Sequence, residues 1–437
     1  MTQNQTIASL REAAPDRNEP DPLRDARAAA LDAYENAGLP DDQHESWRKL
    51  RLDSRDFDPK SFPLTANSAG GAQDHALEIE NPHGQQIIAA SFARILADKD
   101  SKYGDIVRDH LRTQKARIDA PVPEGGTTNQ GVLTDREPLN IFQLQNLAAH
   151  TSATCIATRA ATSREEPLRI VHRQENAGGA LVQRTLIYAA PGAELTVVEE
   201  FRAAPAGDGA GELSLWNCET HIVCGDNARV NYISLRHYSG DEYNFHRIES
   251  TQGRDARVHV SIAQRGGYAG KSFVTGRLTA PGGEFRGIGL AAASGGEYID
   301  MEMLAAHDAD NTNSSLLYKT VVRDRAHSVF NGNLMIPPGR KHVDSHQTNN
   351  NILLNKKARA ESMPKLIVKA EDVAAEHGAT VGELDSEAIF FLMSRGLSES
   401  EARIMMIEGF LMQVIAEFPV ADLHDSLLDE WKAKLSI

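Results

Sequence analysis

The sequence reads as a mainly β chain, a stacked-strand solenoid set between two helical terminal zones. Three observations carry that reading. From about Ile156 to Lys369, short runs alternate apolar and polar residues with the two-residue period of a strand: Leu181 to Tyr188, Leu195 to Glu200, Val230 to Leu235, Val258 to Ala263 and Phe285 to Leu290. A signature recurs among them, a turn followed by Ala or Gly, one polar residue and an apolar one. It stands at Ala193-Glu194-Leu195, Ala228-Arg229-Val230, Ala256-Arg257-Val258 and Gly283-Glu284-Phe285, and Ala326-His327-Ser328-Val329 repeats it with one extra polar residue. The intervals, roughly 27 to 43 residues, suit stacked repeat units. No helical period of useful length interrupts this zone. Strands without crossover helices build either an antiparallel sandwich or a solenoid.

The solenoid is favoured by the length of the zone and by the scarcity of two-residue hairpin turns, with Asp208-Gly209 and Asn331-Gly332 as exceptions. The polar run Asn349-Asn350-Asn351 before Ile352 reads either as asparagines bonding along a solenoid axis or as a plain turn.

The first zone, residues 1–150, mixes helices and loops. Leu23, Ala26, Ala30, Ala33 and Ala37 follow helical spacing, and Gly38 and Pro40 stop that helix. Thr65 to Gln73 reads as loop, Gln85 to Ala97 as a second helix, and Asn140 to His150 as a short third. The β zone is taken as 151–369 and the last zone, 370–437, as helical. In the latter, Asp385 caps a helix running to Arg395 and closing at Gly396, and Ser398 with Glu401 forms a capping box. Ile404, Ile407, Leu411, Val414 and Phe418 make the next stripe, and Leu423, Leu427, Trp431 and Leu435 the last. Residues 371–437 hold 14 acidic and 4 basic side chains, so their net of −10 is two thirds of the formal −15 of the 437-residue chain. That zone reads as a solvated acidic surface or as a docking site for a more basic partner, with removal of Ser398 to Ile437 leaving the β zone folded.

Composition narrows function. A chain this acidic and without a basic stripe is not expected to bind nucleic acid. A membrane partner is not expected either: the best apolar stretch, Ile404 to Phe418, is broken by Glu408, Gly409, Gln413 and Glu417. Cys155, Cys218 and Cys224 form neither a disulfide framework nor a metal or redox spacing, and early Glu12, Asp16 and Glu19 argue against a transit peptide. A reducing cytoplasm is the expected compartment.

Few motifs carry chemistry. Gly270-Lys271-Ser272 resembles a phosphate loop, but Arg265 stands where its first glycine belongs and Phe273 to Leu278 reads as strand, not helix. His342, Asp344 and His346 alternate, so on a strand they share one face and are candidate iron or zinc ligands, although Val343, Ser345 and Gln347 make a poor core face between them. His377 lies between glycines in Glu376-His377-Gly378-Ala379-Thr380-Val381-Gly382, which reads as a tight turn leading to the helices; an imidazole there suits a ligand, a proton shuttle or a cap. A solenoid can also be a polysaccharide lyase or glycosidase, for which only Asp300, Glu302, Asp308 and Asp310 offer scattered carboxylates.

Several stretches together resemble a known family. Ser362-Met363-Pro364-Lys365-Leu366, Ala370-Glu371-Asp372-Val373, His377 to Gly382, Asp385, and Phe391-Leu392-Met393-Ser394-Arg395-Gly396-Leu397 are similar to the SufB/SufD family of SUF iron–sulfur cluster assembly proteins. Gln347 to Leu354, Leu317 to Thr320, Val329 to Gly332, and Gly38-Leu39-Pro40 with Glu45 and Trp47-Arg48 fit as well. The family's SufB side carries a cysteine in the segment matching His346 to Leu354 and an acidic residue after the histidine. This chain has no such cysteine and has Gly378, so the resemblance points to the SufD side. It implies a right-handed parallel β-helix between helical domains and a non-catalytic scaffold that pairs with a SufB-like subunit. It further implies a SufC-like ATPase on the C-terminal helices, with Arg395, Met405, Phe410 and Leu411 as candidate contacts. No cofactor is expected to be held tightly by the chain alone. A transient iron or iron–sulfur cluster is expected at the SufB–SufD boundary, where the position of His377 meets a SufB cysteine, and a homodimer is an option when SufB is absent.

Overall fold

The computed structural model describes residues 19–40, 46–50, 52, 55–63, 87–98, 101–118, 139–150, 152–163, 166–174, 177–203 and 212–435. The expectations for Thr65 to Gln73, Glu45 and Asp208-Gly209 lie outside the described residues.

Among the described residues, seventeen strands form two sheets. They are β1 (Ile87–Ser91), β2 (Ser152–Thr158), β3 (Leu168–Arg173), β4 (Ala180–Ala189), β5 (Glu194–Arg202), β6 (Ser214–Cys224), β7 (Arg229–His237), β8 (Glu242–Gln252) and β9 (Arg257–Arg265). The series continues with β10 (Ala269–Leu278), β11 (Glu284–Ala293), β12 (Tyr298–His307), β13 (Asn313–Val322), β14 (His327–Ile336), β15 (Lys341–Leu353), β16 (Arg359–Val368) and β17 (Asp372–Gly382). Even-numbered strands, with β1 at one end, make a nine-stranded sheet; the other odd-numbered strands make an eight-stranded sheet. Every pairing from β2 onward is parallel, and consecutive strands alternate between sheets, which is a β-solenoid. Apolar side chains such as Ile187, Ile222, Ile248, Val274, Met301 and Phe330 stack into its interior.

The recurring Ala or Gly marks one corner of this coil. Gly192, Asn227, Asp255, Gly282 and Asn311 each hold a positive φ, and the next residue, Ala193, Ala228, Ala256, Gly283 or Thr312, turns inward before the strand. Gly, Asn and Asp are the residues that take this backbone conformation most readily. The corners stack through backbone hydrogen bonds, for instance Asn227 N to Arg254 O at 2.8 Å and Asp255 N to Pro281 O at 3.0 Å. Thr312 fills the place that the sequence pattern left empty; Ala326 directly precedes β14, a strand of the opposite sheet. The long interval was therefore a mixture of two corners.

Helices cover both sheets. α1 (Asp21–Asn36), α2 (Phe92–Ala97), α3 (Gly104–Ala116) and α4 (Ile141–Ala149) pack against the nine-stranded sheet, with Trp47, Phe57 and Phe142 against Tyr243, Phe245 and Phe273. α5 (Ser386–Ser394), α6 (Glu399–Ile415) and α7 (His424–Leu435) follow the last strand. Ile407, Leu411, Val414, Phe418, Leu427 and Trp431 press on Val198, Ile233, Leu235, Ile288 and Leu290 of the eight-stranded sheet. The caps expected at Asp385 and Ser398 are present.

Three expectations change. Of the expected second helix, Gln85 and Gln86 lie outside the described residues, Phe92–Ala97 is helical, and Ile87–Ser91 is a strand running antiparallel to β2, where the β-branched pair Ile87-Ile88 finds an open sheet edge. The β zone extends past 369 to Gly382, because β17 continues the parallel ladder on β15. The helices between residues 398 and 435 pack as part of the body, since they bury the outer face of a sheet, which weighs against removing them without effect on the β zone.

Candidate functional site: the open rung and the C-terminal helices

A parallel solenoid ends in a rung whose outer edges have no ladder partner. At the C-terminal end that rung is β16 and β17, the last strands of the two sheets. His377 sits midway along β17, in register with Gln347 of β15. Val343, Ser345, Gln347 and Asn349 of β15 are buried toward the interior, and their register partners on β17 are Val373, Ala375, His377 and Ala379. His377 therefore lies on the interior-facing side of the terminal rung, yet it is exposed, because no described strand stacks above it.

The turn expected around His377 is instead extended chain. Gly378 and Gly382 have no positive φ, and nothing lies within 4 Å of where their Cβ atoms would be. These glycines are tolerated on an uncovered edge; they are not required by a bend.

The alternating His342, Asp344 and His346 do not converge. A bulge between Lys341 and Val343 and a φ of 54° at His342 turn its ring away, 3.4 Å from Asp372 Oδ2. His346 Nε2 lies 2.8 Å from Asp344 Oδ1 and its Nδ1 3.7 Å from Glu376 Oε2, all on exposed surface. Val343, Ser345 and Gln347 between them do form a buried face, contrary to expectation. Among the described residues no three His, Cys, Asp or Glu side chains are grouped to hold a metal ion. Asp344 and His346 line the end of a trough of ≈ 750 Å³ on the eight-stranded sheet. Its charges largely close on one another, as in Arg229–Glu194 at 2.9 Å and Arg257–Glu284 at 3.2 Å.

The asparagine run is strand, not turn, and bonds along the solenoid axis. Asn349 Nδ2 donates to Tyr318 O at 2.9 Å, Thr320 Oγ1 to Asn351 Oδ1 at 2.5 Å, and Asn350 Nδ2 to Thr380 Oγ1 at 2.8 Å. Gly270-Lys271-Ser272 lies in β10, and Lys271 Nζ is buried 2.8 Å from Asp300 Oδ1. Burial lifts the Asp300 carboxyl to about 6, with Lys271 pulling the other way.

The C-terminal candidates separate by burial. Met405 is exposed, and the Arg395 guanidinium lies 5.1 Å from the Phe391 ring centroid. Phe410 is half-buried under the Lys319 ammonium at 4.4 Å. Leu411 is fully buried against the sheet, so it belongs to the core and offers no contact to a partner. Sequence reasoning missed the strongest surface feature, Phe390 at 72% and Phe391 at 55% exposure, with Met393 beside them. The signal was available: Ala388 to Met393 is apolar all round and cannot turn every side chain inward.

Residues 171–410 match the family model described as "SUF system FeS cluster assembly, SufBD core domain". The chain belongs to the SufBD family. It is similar to the iron–sulfur cluster assembly protein SufD of Escherichia coli, 26% identical over 90% of this chain and 86% of that protein. It is similar also to SufD of Bacillus subtilis, 27% identical over 62% of this chain and 61% of that one. A SufBD family protein of Synechocystis is 26% identical over 66% of this chain, and the match spans 64% of that protein's length. Membership ties the chain to SUF iron–sulfur cluster assembly. No described helix is long and apolar enough to cross a membrane.

Proposed function

We propose that the chain is a non-catalytic scaffold subunit of a cytoplasmic SUF complex. A SufB-like subunit pairs with the open rung of β16 and β17, and a SufC-like ATPase docks on the C-terminal helices. The nascent cluster is cargo, assembled transiently at the subunit boundary, where His377 offers its imidazole beside a thiolate of the partner. Imidazole and thiolate are both suitable iron ligands. In the absence of the SufB-like chain a second copy can take its place on the same edge.

The observation that carries this reading is the position of His377, exposed on the terminal strand of a sheet whose edge has no partner among the described residues. Such an edge favours strand addition by another chain. The exposed Phe390, Phe391, Met393 and Met405 supply apolar anchors for the second partner.

Co-expression with a SufB-like chain and a SufC-like ATPase tests it. The wild type should yield a stable complex that accumulates iron and sulfide in equal amounts. His377→Ala should leave the complex intact and lower its iron and sulfide about tenfold or more, the scale of losing a ligand or its support. An unchanged metal content in that variant removes the role assigned to the imidazole.

A further inference from the structure

Gln347 is 2% exposed, and both its amide oxygen and its amide nitrogen lack a hydrogen-bond partner. A buried amide in that state has given up its bonds to water without replacing them. Its surroundings leave few groups that could relieve it. Along its column of the sheet the preceding rung offers Leu316, which is apolar. Across the interior stands Gly332, where an added Cβ would meet the amide carbon at 2.5 Å; the missing side chain is what makes room for the glutamine. The next residue in that facing column is Pro364, which has no N–H. On its own strand, Ser345 is already bonded to Ser314 and His307, and Asn349 to Tyr318 and Asn351. One polar group remains in its column, the imidazole of His377 on the following rung. Neighbouring parallel strands place in-register side chains about 4.8 Å apart on the same face.

We infer that Gln347 is the positioning residue for His377. Its amide oxygen accepts the N–H of one ring nitrogen from below. That fixes the tautomer and leaves the lone pair of the other nitrogen directed out of the open rung. A neutral imidazole whose second nitrogen is held by a hydrogen bond is the form that binds a metal best, and loss of such a support commonly costs 10–100-fold in affinity. The inference rests on the proposed role of His377, and its primary readout does not.

The test uses the full chain with isotope-labelled histidine, measured at pH 8. The His377 ring signals are identified by their loss in His377→Ala. In the wild type they should report a single tautomer. Gln347→Met, of similar length and without the amide, should give a mixture of tautomers, and Gln347→Glu, which keeps an acceptor, should restore the single form. Ser362→Ala, which removes an unpartnered hydroxyl on the facing strand, should change nothing. A tautomer mixture already present in the wild type overturns the inference even if a variant fails to fold, and so does an unchanged single tautomer in Gln347→Met. In the assembled complex Gln347→Met should lower bound iron about tenfold with the subunits still associated. If His377→Ala leaves cluster assembly intact, the role of His377 falls, and the tautomer measurement still decides the contact.

Discussion

Inside the coil, single residues carry buried charge chemistry. Glu199 is fully buried and accepts from His172 Nε2 at 2.8 Å, Thr185 Oγ1 at 2.7 Å, Gln183 Nε2 at 2.9 Å and Tyr232 OH at 2.6 Å. Burial raises its carboxyl, but His172, Tyr232 and Thr185 outweigh it and hold the group below its ordinary value. A depressed carboxylate contributes stability above its unfolded pKa, about 4.3, and that stability is lost as pH falls below it. Glu199→Ala should therefore cost about 3–5 kcal/mol at neutral pH, because it strands several buried donors at once. Denaturant unfolding at pH 7 measures it; a loss below about 1 kcal/mol would mean that water replaces the carboxylate. None of this was legible in the sequence, where Glu199-Glu200 reads as the polar end of a strand. His377 was legible as a residue, since its neighbours carry the family resemblance, but its setting was not. Gly378 and Gly382 signal a turn in sequence, and only the uncovered edge explains why they stand in a strand.

The two sheets differ in how openly they announce their strands, and coverage is the reason. β5, β7, β9 and β11 begin at solvent, so polar and apolar residues alternate and the sequence pattern finds them. β6, β8, β10 and β12 are buried almost throughout, between the interior and the N-terminal helices, and period-two alternation is lost. Asn217, Glu219 and Arg247 look like surface residues in sequence and are buried by helices that pack from far along the chain. The C-terminal helices show the opposite contrast. The stripe on α6 was legible and faces the sheet, whereas the uniform apolarity of α5 gives no direction, and that helix is mostly exposed. Two substitutions separate the roles. Leu411→Ala should lose about 2–5 kcal/mol of stability through cavity formation. Phe390→Ser should leave thermal unfolding nearly unchanged and weaken capture of a SufC-like ATPase, read by co-purification. Equal destabilisation by both would place Phe390 in the fold and not on a docking surface.

At the scale of the whole molecule, the N-terminal helices are clamped to the solenoid through a buried polar seam. Arg184 is fully buried, with Nη2 2.8 Å from Glu219 Oε2, Nη1 3.1 Å from His110 Nε2 and Nε 3.0 Å from Asn146 Oδ1. His221 lies 3.1 Å from Glu219 and 3.5 Å from Glu249, and Arg117 and Arg247 also reach Glu249. Burial, then the neighbouring His221, Arg184, His150 and Arg117, holds His110 well below the ordinary imidazole range; burial and then Arg27 and Arg184 do the same to His150. These rings stay neutral when folded, while the unfolded chain takes up their protons near pH 6.5. The unfolded state thus binds more protons below that pH, so stability falls as pH drops through it. Glu219 is depressed and Glu249 lies at about 2, so their contribution is lost in a second, lower window as pH falls from about 4.5. Thermal unfolding followed from pH 8 to pH 5 should show the first decline. His110→Gln, which cannot take up the proton, should flatten it by up to about 1.4 kcal/mol per pH unit. Protease cleavage of the N-terminal zone at pH 5.5 should likewise slow in that variant relative to the wild type. A slope identical in the two proteins would mean that His110 is already protonated in the folded chain.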